Sequence, residues 1–316
     1  MISNSKICLI GSGPMAVDYA QVLKKLNKSF KVIGRGKKSS KIFTKITNCK
    51  VQIGGIKKYL NTNPTPKIAI VAVGVEQLFN VARTLINAGT KKILLEKPGA
   101  LNFKQIQELN LIANKNKTKI YIAYNRRFFQ SVIKIKRIID KDGGLMSINF
   151  EFTEMSNLIK NLSTGKDVKK NWLIANSSHV IDLAFYLSGK PKNWKYWSKG
   201  RLDWHPSSSC FGGSGITEKG VIFNYFANWQ APGRWGLELM TKKNRLILRP
   251  MEKLQMINSK TKDLKHVKIN DNLDKKFKPG LFLQTKNFLE DKISHLCTLS
   301  EQVINIEIFS KIAGYK

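Results

Sequence analysis

A glycine-rich loop at residues 11–16 constrains the fold of this chain more than any other segment. It reads Gly-Ser-Gly-Pro-Met-Ala and lies between an apolar run at residues 7–10 and a helical pattern at residues 15–26. In such a loop the first glycine permits a tight turn, the second lets a ligand approach the backbone, and the alanine permits close helix–strand packing. The N-terminus of the helix then attracts a phosphate group. A glycine turn without a ligand is the alternative. We expect a dinucleotide to contact Gly11, Ser12, Gly13, Pro14, Met15 and Ala16.

Strand-like and helical patterns alternate over the first 124 residues. Helical patterns at residues 76–88 and 103–114 follow the first one. The apolar runs expected to form strands lie at residues 7–10, 30–33, 68–73, 93–95 and 120–123. Strands that alternate with helices of this length favour a parallel, doubly wound sheet. We therefore predict a Rossmann domain at residues 1–124.

The pattern changes after residue 124. Two helical patterns, at residues 132–139 and 168–187, are accompanied by a series of strand-like runs separated by turn residues. These runs lie at residues 146–152, 193–197, 210–217, 221–229, 235–240, 245–248 and 254–257. Residues 258–280 are polar and indicate an exposed loop, and helical patterns at 281–292 and 300–312 close the chain. We predict a second, α+β domain at residues 125–316, with an open and mostly antiparallel sheet.

The end of the second strand indicates which dinucleotide binds. Proteins that bind the free ribose 2′-hydroxyl place an acidic residue there, but here the chain reads Gly34-Arg35-Gly36, followed by lysines and Ser39. Arg35 can pair with a 2′-phosphate and stack on adenine. A solvated basic loop is the alternative. We predict NADP rather than NAD, held by Gly34, Arg35 and Ser39, with further contacts from Val73, Glu96 and Lys97 at the ends of other strands.

The formal net charge of +34 raises the possibility of a nucleic-acid partner. Only nine of the 55 basic residues are arginines, the residue preferred for phosphate and base recognition, and the lysines are spread along the chain. We therefore expect no nucleic-acid partner, although the charge favours anionic ligands. The chain lacks an apolar run of about 20 residues. With a start that resembles no signal peptide and four scattered cysteines, we expect a cytoplasmic protein without a membrane partner or a metal site.

Three more motifs accompany the glycine loop. Glu96-Lys97-Pro98 follows an apolar run, Tyr-Asn-Arg-Arg-Phe occupies residues 124–128, and Asn-Ser-Ser-His-Val-Ile-Asp-Leu occupies residues 176–183. With these four motifs in this order, the chain resembles the glucose-fructose oxidoreductase/inositol dehydrogenase (Gfo/Idh/MocA) family over essentially its whole length. The resemblance implies a Rossmann domain paired with an open antiparallel sheet, and oxidation or reduction of sugars, inositols or nucleotide-linked sugars.

The resemblance implies two catalytic residues. The family's motif lysine falls on Lys97, where it would hold the reacting hydroxyl or carbonyl, and its second-domain histidine falls on His179. A histidine that titrates near neutrality can take or supply the proton, and a nearby ammonium stabilises a developing alkoxide. The chain departs from the family at Ala175, where inositol-type members carry an aspartate four residues before the histidine. This departure weakens the case for an inositol dehydrogenase.

Candidate substrate contacts lie in three segments. Asp182 is expected to orient its neighbours rather than to react, and Trp229 could stack on a sugar while Arg234 pairs with a carboxylate or phosphate. Packing of residues 228–235 within the sheet is the alternative. The substrate-binding candidates are Tyr124, Arg126, Asn176, Asp182, Trp229 and Arg234.

The predicted function is NADP(H)-dependent hydride transfer to or from a hydroxyl or carbonyl carbon of a sugar or nucleotide-sugar derivative, in a pathway such as surface-polysaccharide synthesis. One alternative is an NAD-dependent inositol or sugar dehydrogenase. The other, motivated by Ala175, is a regulatory or scaffold protein that binds a cofactor without turnover. The resemblance also implies a homodimer or homotetramer that forms through the open face of the second sheet.

Overall fold

The computed structural model describes residues 6–315 and divides the chain into two compact units. The first unit comprises Met1–Asn125 and Lys275–Ile306, and the second comprises Arg126–Asp274 and Glu307–Lys316. The first boundary lies one residue from the expected one. However, residues 275–306, which we expected in the second domain, belong to the first unit. The expectation about the start of the chain concerns residues 1–5, which lie outside the described residues.

The first unit contains a seven-stranded sheet in the order β15-β6-β5-β4-β1-β2-β3. All neighbouring strands are parallel except β15, which pairs antiparallel with β6. The strands are β1 (Ile7–Ile10), β2 (Phe30–Gly34), β3 (Val51–Ile53), β4 (Ile68–Val71), β5 (Lys92–Glu96), β6 (Lys119–Ala123) and β15 (Cys297–Thr298). The central strands β1, β4 and β5 are almost fully buried, as expected for a parallel sheet covered on both faces.

Helices connect these strands, as the alternating pattern predicted. They are α1 (Pro14–Lys25), α2 (Lys37–Thr47), α3 (Gly55–Thr62), α4 (Val75–Asn87) and α5 (Phe103–Lys115), and α11 (Leu281–Leu289) lies in the C-terminal part of this unit. Pro14 occupies the first turn of α1, where its missing N–H costs nothing. The sequence did not indicate α2, β3 and α3. The lysine-rich residues 37–40, interpreted as a possible loop, form the first turn of α2.

The second unit contains an eight-stranded sheet in the order β14-β13-β12-β11-β7-β10-β9-β8. Neighbouring strands are antiparallel except for β7 and β10, which are parallel. The predicted fold class, a Rossmann sheet followed by an open and mostly antiparallel sheet, is thereby confirmed. The strands are β7 (Ser147–Glu151), β8 (Pro191–Lys199), β9 (Cys210–Thr217), β10 (Ile222–Asn228), β11 (Gly236–Met240), β12 (Asn244–Leu248), β13 (Gln255–Asn258) and β14 (Leu264–His266).

The helix expected at residues 168–187 is divided in the structure. It consists of α8 (Lys166–Lys170), a π-helical turn at Leu173–Ser177 and α9 (Ser178–Ser188). Single π-helical turns recur at functional sites. The other helical segments are a 3₁₀ turn at Asn125–Phe128, α6 (Gln130–Lys141), α7 (Ser156–Lys160), α10 (Asn272–Lys276), a 3₁₀ turn at Ile293–His295 and α12 (Leu299–Ala313). The predicted loop at residues 258–280 also contains β14. Among residues 6–315, every helix is too short or too polar to cross a membrane.

The two faces of the second sheet differ in exposure. On β10, Phe223 and Tyr225 are buried, whereas Ile222 and Phe226 are 63% and 56% exposed. The buried face packs against α9, where the Phe185 ring lies 5.3 Å from that of Phe223 and 5.5 Å from that of Phe150. This alternation is typical of an antiparallel sheet with one covered face.

Candidate active site

A cleft of about 870 Å³ opens in the first unit at the carboxyl ends of β1, β2 and β4. The loops after these strands line it, together with residues from α3 and α4. The chain passes from one side of β1 to the other between β3 and β4. Such a switch in strand order is where open α/β sheets bind ligands. The cleft therefore occupies the place that a dinucleotide requires in a sheet of this topology.

The glycine loop forms the floor of this cleft. Gly11 has φ +126°, and a Cβ there would lie 2.0 Å from the carbonyl oxygen of Ala72, so only glycine fits. Gly13 caps α1, and a Cβ there would meet no atom within 4 Å, because its open side faces the cleft. Ala16 is fully buried and does not line the cleft, consistent with a packing role. The loop thus has the shape of a pyrophosphate cradle.

The end of β2 lies at the same cleft. Arg35 is exposed and lines it, and Ser39 does so from α2, where its hydroxyl lies 2.9 Å from that of Ser12. Gly34 does not line the cleft, and a Cβ there would meet the Ser40 hydroxyl at 2.6 Å, so close packing explains this glycine. Lys57 of α3 adds a second cation that the sequence did not reveal. Among the described residues, those lining the cleft include no carboxylate.

Val73 lines this cleft, whereas Glu96 and Lys97 do not. Glu96 ends β5, and its carboxylate accepts a 2.6 Å hydrogen bond from the hydroxyl of Tyr19. Burial raises the pKa of Glu96, while the Tyr19 hydrogen bond and the charge of Lys97 oppose that shift. Lys97 itself is half-buried. The expectation that Glu96 contacts the cofactor is therefore not supported, because its carboxylate is engaged inside the unit.

The turn after β5 is held from two sides. The Lys97–Pro98 peptide bond is cis, and the Gly99 N–H donates to the Glu96 carbonyl at 3.0 Å. The Gln302 side-chain amide donates to the carbonyl of Pro98 and to the hydroxyl of Tyr124, both at 3.0 Å. Tyr124 is only 1% exposed, so the structure argues against its predicted role in substrate binding. Tyr124 instead helps to position Gln302, which holds the turn that carries Lys97.

In the second unit, a buried ion pair connects the arginine motif to the histidine motif. The Arg127 guanidinium, in the turn before α6, donates to both carboxylate oxygens of Asp182 on α9 at 2.8 and 2.5 Å. Both side chains are at most 2% exposed. This ion pair and its burial leave Asp182 inaccessible as a substrate contact. The pair fixes the turn that carries Arg126 relative to the helix that carries His179.

His179 lies in the first turn of α9 and is 8% exposed. Its ring centroid is 6.3 Å from that of Trp235. Just before it, the side chains of Asn176 and Ser177 donate to one carboxylate oxygen of Glu154 at 3.0 and 2.6 Å. Position 175 is a buried alanine, so no acid stands where inositol-type relatives carry an aspartate. Glu154 was not among the predicted site residues, although an acid just past a predicted strand was an available signal.

A pocket of about 410 Å³ lies within the second unit. Three of the six predicted substrate-binding residues, Arg126, Asn176 and Arg234, line it together. Trp235 also lines the pocket and is half-buried, and its ring centroid lies 4.9 Å from the Arg126 guanidinium. Further lining residues include Glu154, Trp172 and Glu252.

Trp229 does not belong to this pocket. It is 1% exposed, and its indole N–H donates to the Phe152 carbonyl at 3.1 Å. Its ring stacks on Trp204 at 5.6 Å between centroids and contacts His205 at 4.7 Å. No face of the ring is available to a sugar, so the expectation of stacking is not supported. Sheet packing, the alternative interpretation, explains this tryptophan.

The Rossmann fold and its glycine-loop cleft define a dinucleotide-binding protein. Residues 5–124 match the model of the GFO_IDH_MocA family, described as an oxidoreductase family with an NAD-binding Rossmann fold. The match covers the first domain, and it indicates that the chain is an NAD(P)-dependent oxidoreductase. No curated protein matches the sequence at a significant level.

Several solved structures have the same fold over nearly the whole chain. UDP-N-acetylglucosamine 3-dehydrogenase from Acidithiobacillus ferrooxidans is 13% identical with a TM-score of 0.74, and 98% of this chain and 96% of that chain are covered. A putative NADPH-dependent oxidoreductase from Desulfitobacterium hafniense is 17% identical with a TM-score of 0.77. The alignment covers 99% of this chain and 95% of that one. Levoglucosan dehydrogenase in complex with NADH and L-sorbose is 14% identical with a TM-score of 0.78. The alignment covers 98% of this chain and 95% of that one. At these identities, the similarity shows a shared fold and nothing more.

Proposed function

We propose that the protein uses NADP(H) to transfer a hydride to or from a hydroxyl or carbonyl carbon of a sugar or nucleotide-sugar derivative, in a role such as surface-polysaccharide synthesis. The observation that carries the cofactor choice is the lining of the first-unit cleft, which combines Arg35 and Lys57 with no carboxylate among the described residues. A 2′-phosphate brings a double negative charge, which two cations attract and an acid would repel. Fold similarity to a nucleotide-sugar dehydrogenase supports the substrate class.

The residues of the cleft fit a dinucleotide. Gly13 leaves room for a pyrophosphate at the N-terminus of α1, and Gly11, with its positive φ, makes the turn directly after β1. Arg35 and Ser39 would hold the ribose phosphate. A nicotinamide dinucleotide bound there supplies or accepts the hydride.

The proton chemistry is assigned to Lys97 and His179. The Lys97 ammonium follows a strand end fixed by the hydrogen bonds of Pro98 and Gly99, so its backbone is firmly positioned. It would donate a hydrogen bond to the reacting oxygen and stabilise negative charge there. His179 would take the proton from the hydroxyl during oxidation and return it during reduction. Without an acid at position 175, these two residues carry the proton transfer.

The cofactor choice is tested by measuring the Kd of NADPH and NADH for the wild type and Arg35→Gln. Loss of a charge-assisted hydrogen bond costs about 1.5–3 kcal/mol, so the NADPH Kd should rise by about 10- to 150-fold while the NADH Kd changes little. Arg83→Gln is the matched control, since Arg83 lies on the surface of the same unit and pairs with Glu108. A wild type that binds NADH more tightly than NADPH would refute the assignment.

The proton roles are tested by His179→Ala and Lys97→Ala. Each should lower kcat by about 10²–10⁴-fold, the range for a positioned acid or base, with the Kd of NADPH unchanged. Unchanged turnover in either variant would remove that residue from the mechanism. Tight NADPH binding by a wild type that turns over no sugar would instead favour the scaffold role suggested by Ala175.

The open face of the second sheet is the proposed oligomer interface. Its exposed apolar side chains include Ile222, Phe226 and, on β8, the 63%-exposed Trp197. A group of neighbouring exposed apolar side chains is typical of protein–protein contacts. We infer a homodimer or homotetramer that buries this face.

A further inference from the structure

Two buried N–H donors of residues that line the pocket of the second unit lack an acceptor. The Nε atom of Arg126 and the indole Nε1 of Trp172 are both buried, and neither has a hydrogen-bond partner among the described residues. A buried donor without a partner costs about 1–3 kcal/mol, so such groups usually mark a missing partner. Both residues line the same pocket. Neither of these two N–H groups has an acceptor within the pocket lining.

Arg234 is an exposed lining residue whose positive charge has no ion-pair partner among the described residues. Within the described part of the chain its guanidinium makes no ion pair and no hydrogen bond, although its backbone is fixed. The Arg234 N–H donates to the Glu151 carboxylate at 3.3 Å, and that carboxylate also pairs with Arg249 at 2.8 Å. A Cβ on Gly233 would lie 2.5 Å from the same carboxylate, so the loop is closely packed. A fixed loop with an unpaired guanidinium is suited to binding an anion.

Arg126 and Trp235 form the adjoining wall. The Arg126 guanidinium lies 4.9 Å from the Trp235 ring centroid, and the Phe129 ring is 5.8 Å away. Burial lowers the pKa of Arg126 to about 10, and the charges of Glu252 and Glu154 oppose that shift. A cation that is desolvated to this extent gains from any further negative charge nearby.

The lining carries two arginines and two glutamates, so its formal charge is balanced, but neither carboxylate pairs with the Arg234 guanidinium. One Glu154 oxygen already accepts hydrogen bonds from Asn176 and Ser177, and the group is buried. Glu252 is exposed, and its charge acts on Arg126. Arg234 is therefore the lining cation whose guanidinium forms no ion pair with a described acidic side chain.

We propose that this pocket binds an anionic group of the substrate, a carboxylate or a phosphate, with Arg234 as its principal partner and Arg126 and Trp172 as further donors. The proposal rests on the proposed action on a sugar-type substrate and narrows it to acidic or phosphorylated sugars. Neutral sugars would leave the unpaired donors unsatisfied and bind more weakly.

The test follows the tryptophan indole N–H resonances of the full-length protein by NMR, with the Trp172 signal assigned through Trp172→Phe. The wild type is titrated with glucose, glucuronate, glucose 1-phosphate and inorganic phosphate. We expect the anionic ligands to shift the Trp172 signal, with a Kd at least tenfold below that of glucose. A response to glucuronate alone identifies a carboxylate site, and a response to the phosphates identifies a phosphate site.

Arg234→Gln should remove the preference for anions, and Arg234→Lys should restore part of it. The control is Arg201→Gln, an exposed arginine of the same unit that lies outside the pocket. Equal affinities for glucose and the anions, no response to any anion, or full anion affinity in Arg234→Gln would overturn the proposal. Because the readout needs no turnover, an anion site in a protein that reduces no sugar would refute the proposed function and leave this site standing.

Discussion

A single methyl group at Gly13 should separate cofactor binding from folding. A Cβ at this position would meet no protein atom within 4 Å and would point into the cleft. In Gly13→Ala the N-cap of α1 becomes less favourable by about 0.5–1 kcal/mol, and the lower entropy of the unfolded chain returns about 0.4–1 kcal/mol. The free energy of unfolding should therefore change by less than about 1 kcal/mol.

The same methyl group occupies the approach of the pyrophosphate to the helix N-terminus. Inserting it into a filled contact costs about 1–3 kcal/mol, so the Kd of NADPH should rise by about 5- to 150-fold. Calorimetric titration gives the Kd, and urea denaturation gives the free energy of unfolding. A folded Gly13→Ala protein that binds NADPH as tightly as the wild type would refute the assignment of the phosphate to this loop.

Gly11 provides the contrasting case. A Cβ there would lie 2.0 Å from the Ala72 carbonyl oxygen, at a φ of +126°. The overlap costs about 1–3 kcal/mol and the backbone strain about 1–3 kcal/mol, out of a total stability of about 5–15 kcal/mol. Gly11→Ala should therefore lose stability as well as cofactor binding. Gly212→Ala is the control for both, because the nearest atom to its Cβ is 3.9 Å away and it lies in the second unit.

Three further predictions concern stability and assembly. Asp182→Asn breaks a buried ion pair with Arg127 and should cost about 3–5 kcal/mol in urea denaturation, and a loss below about 1 kcal/mol would contradict the pairing. Burial raises the pKa of Glu96 in the folded protein above its ordinary value of 4.5. As pH rises, the carboxyl therefore loses its proton more readily in the unfolded chain, and the free energy of unfolding falls between pH 4.5 and the folded-state pKa. Glu96→Gln should flatten that dependence and be more stable than the wild type at neutral pH, whereas an unchanged slope would exclude Glu96 as its source. Phe226→Asp should lower the mass measured by light scattering if the open sheet face is the interface, and an unchanged mass would exclude that face.

The fold could be predicted largely because its signals are local. Strands β1, β4 and β5 are buried on both faces, so each appears in the sequence as an uninterrupted apolar run. Helix α2 was missed because only Phe43 and two polar residues are buried, while Ile42 and Ile46 are exposed. Strand β15 has two residues, and its pairing with β6 is a long-range contact that no local pattern encodes.

The site could be predicted where backbone geometry dictates the residue type. The tight turn after β1 requires Gly11, and the approach of a ligand to the backbone requires Gly13. Both requirements are visible in the sequence as the glycine spacing of the loop. Trp229 and Tyr124 carry the same side chains as ligand-binding residues do, but tertiary packing buries them. Glu154 was missed for the opposite reason, because its importance comes from two hydrogen bonds with residues 22 and 23 positions away.

The proposed reaction is the transfer of a hydride between a nicotinamide and a sugar-type carbon. The most direct measurement incubates the wild type with NADPH deuterated at the transferring carbon of the nicotinamide and a panel of keto-sugars, keto-sugar acids and keto-nucleotide sugars. Mass spectrometry of the products then reports transfer. We expect deuterium on carbon in at least one acidic or nucleotide-linked product, formed about 10²–10⁴-fold more slowly by His179→Ala. NADPH binding without deuterium in any product would contradict it.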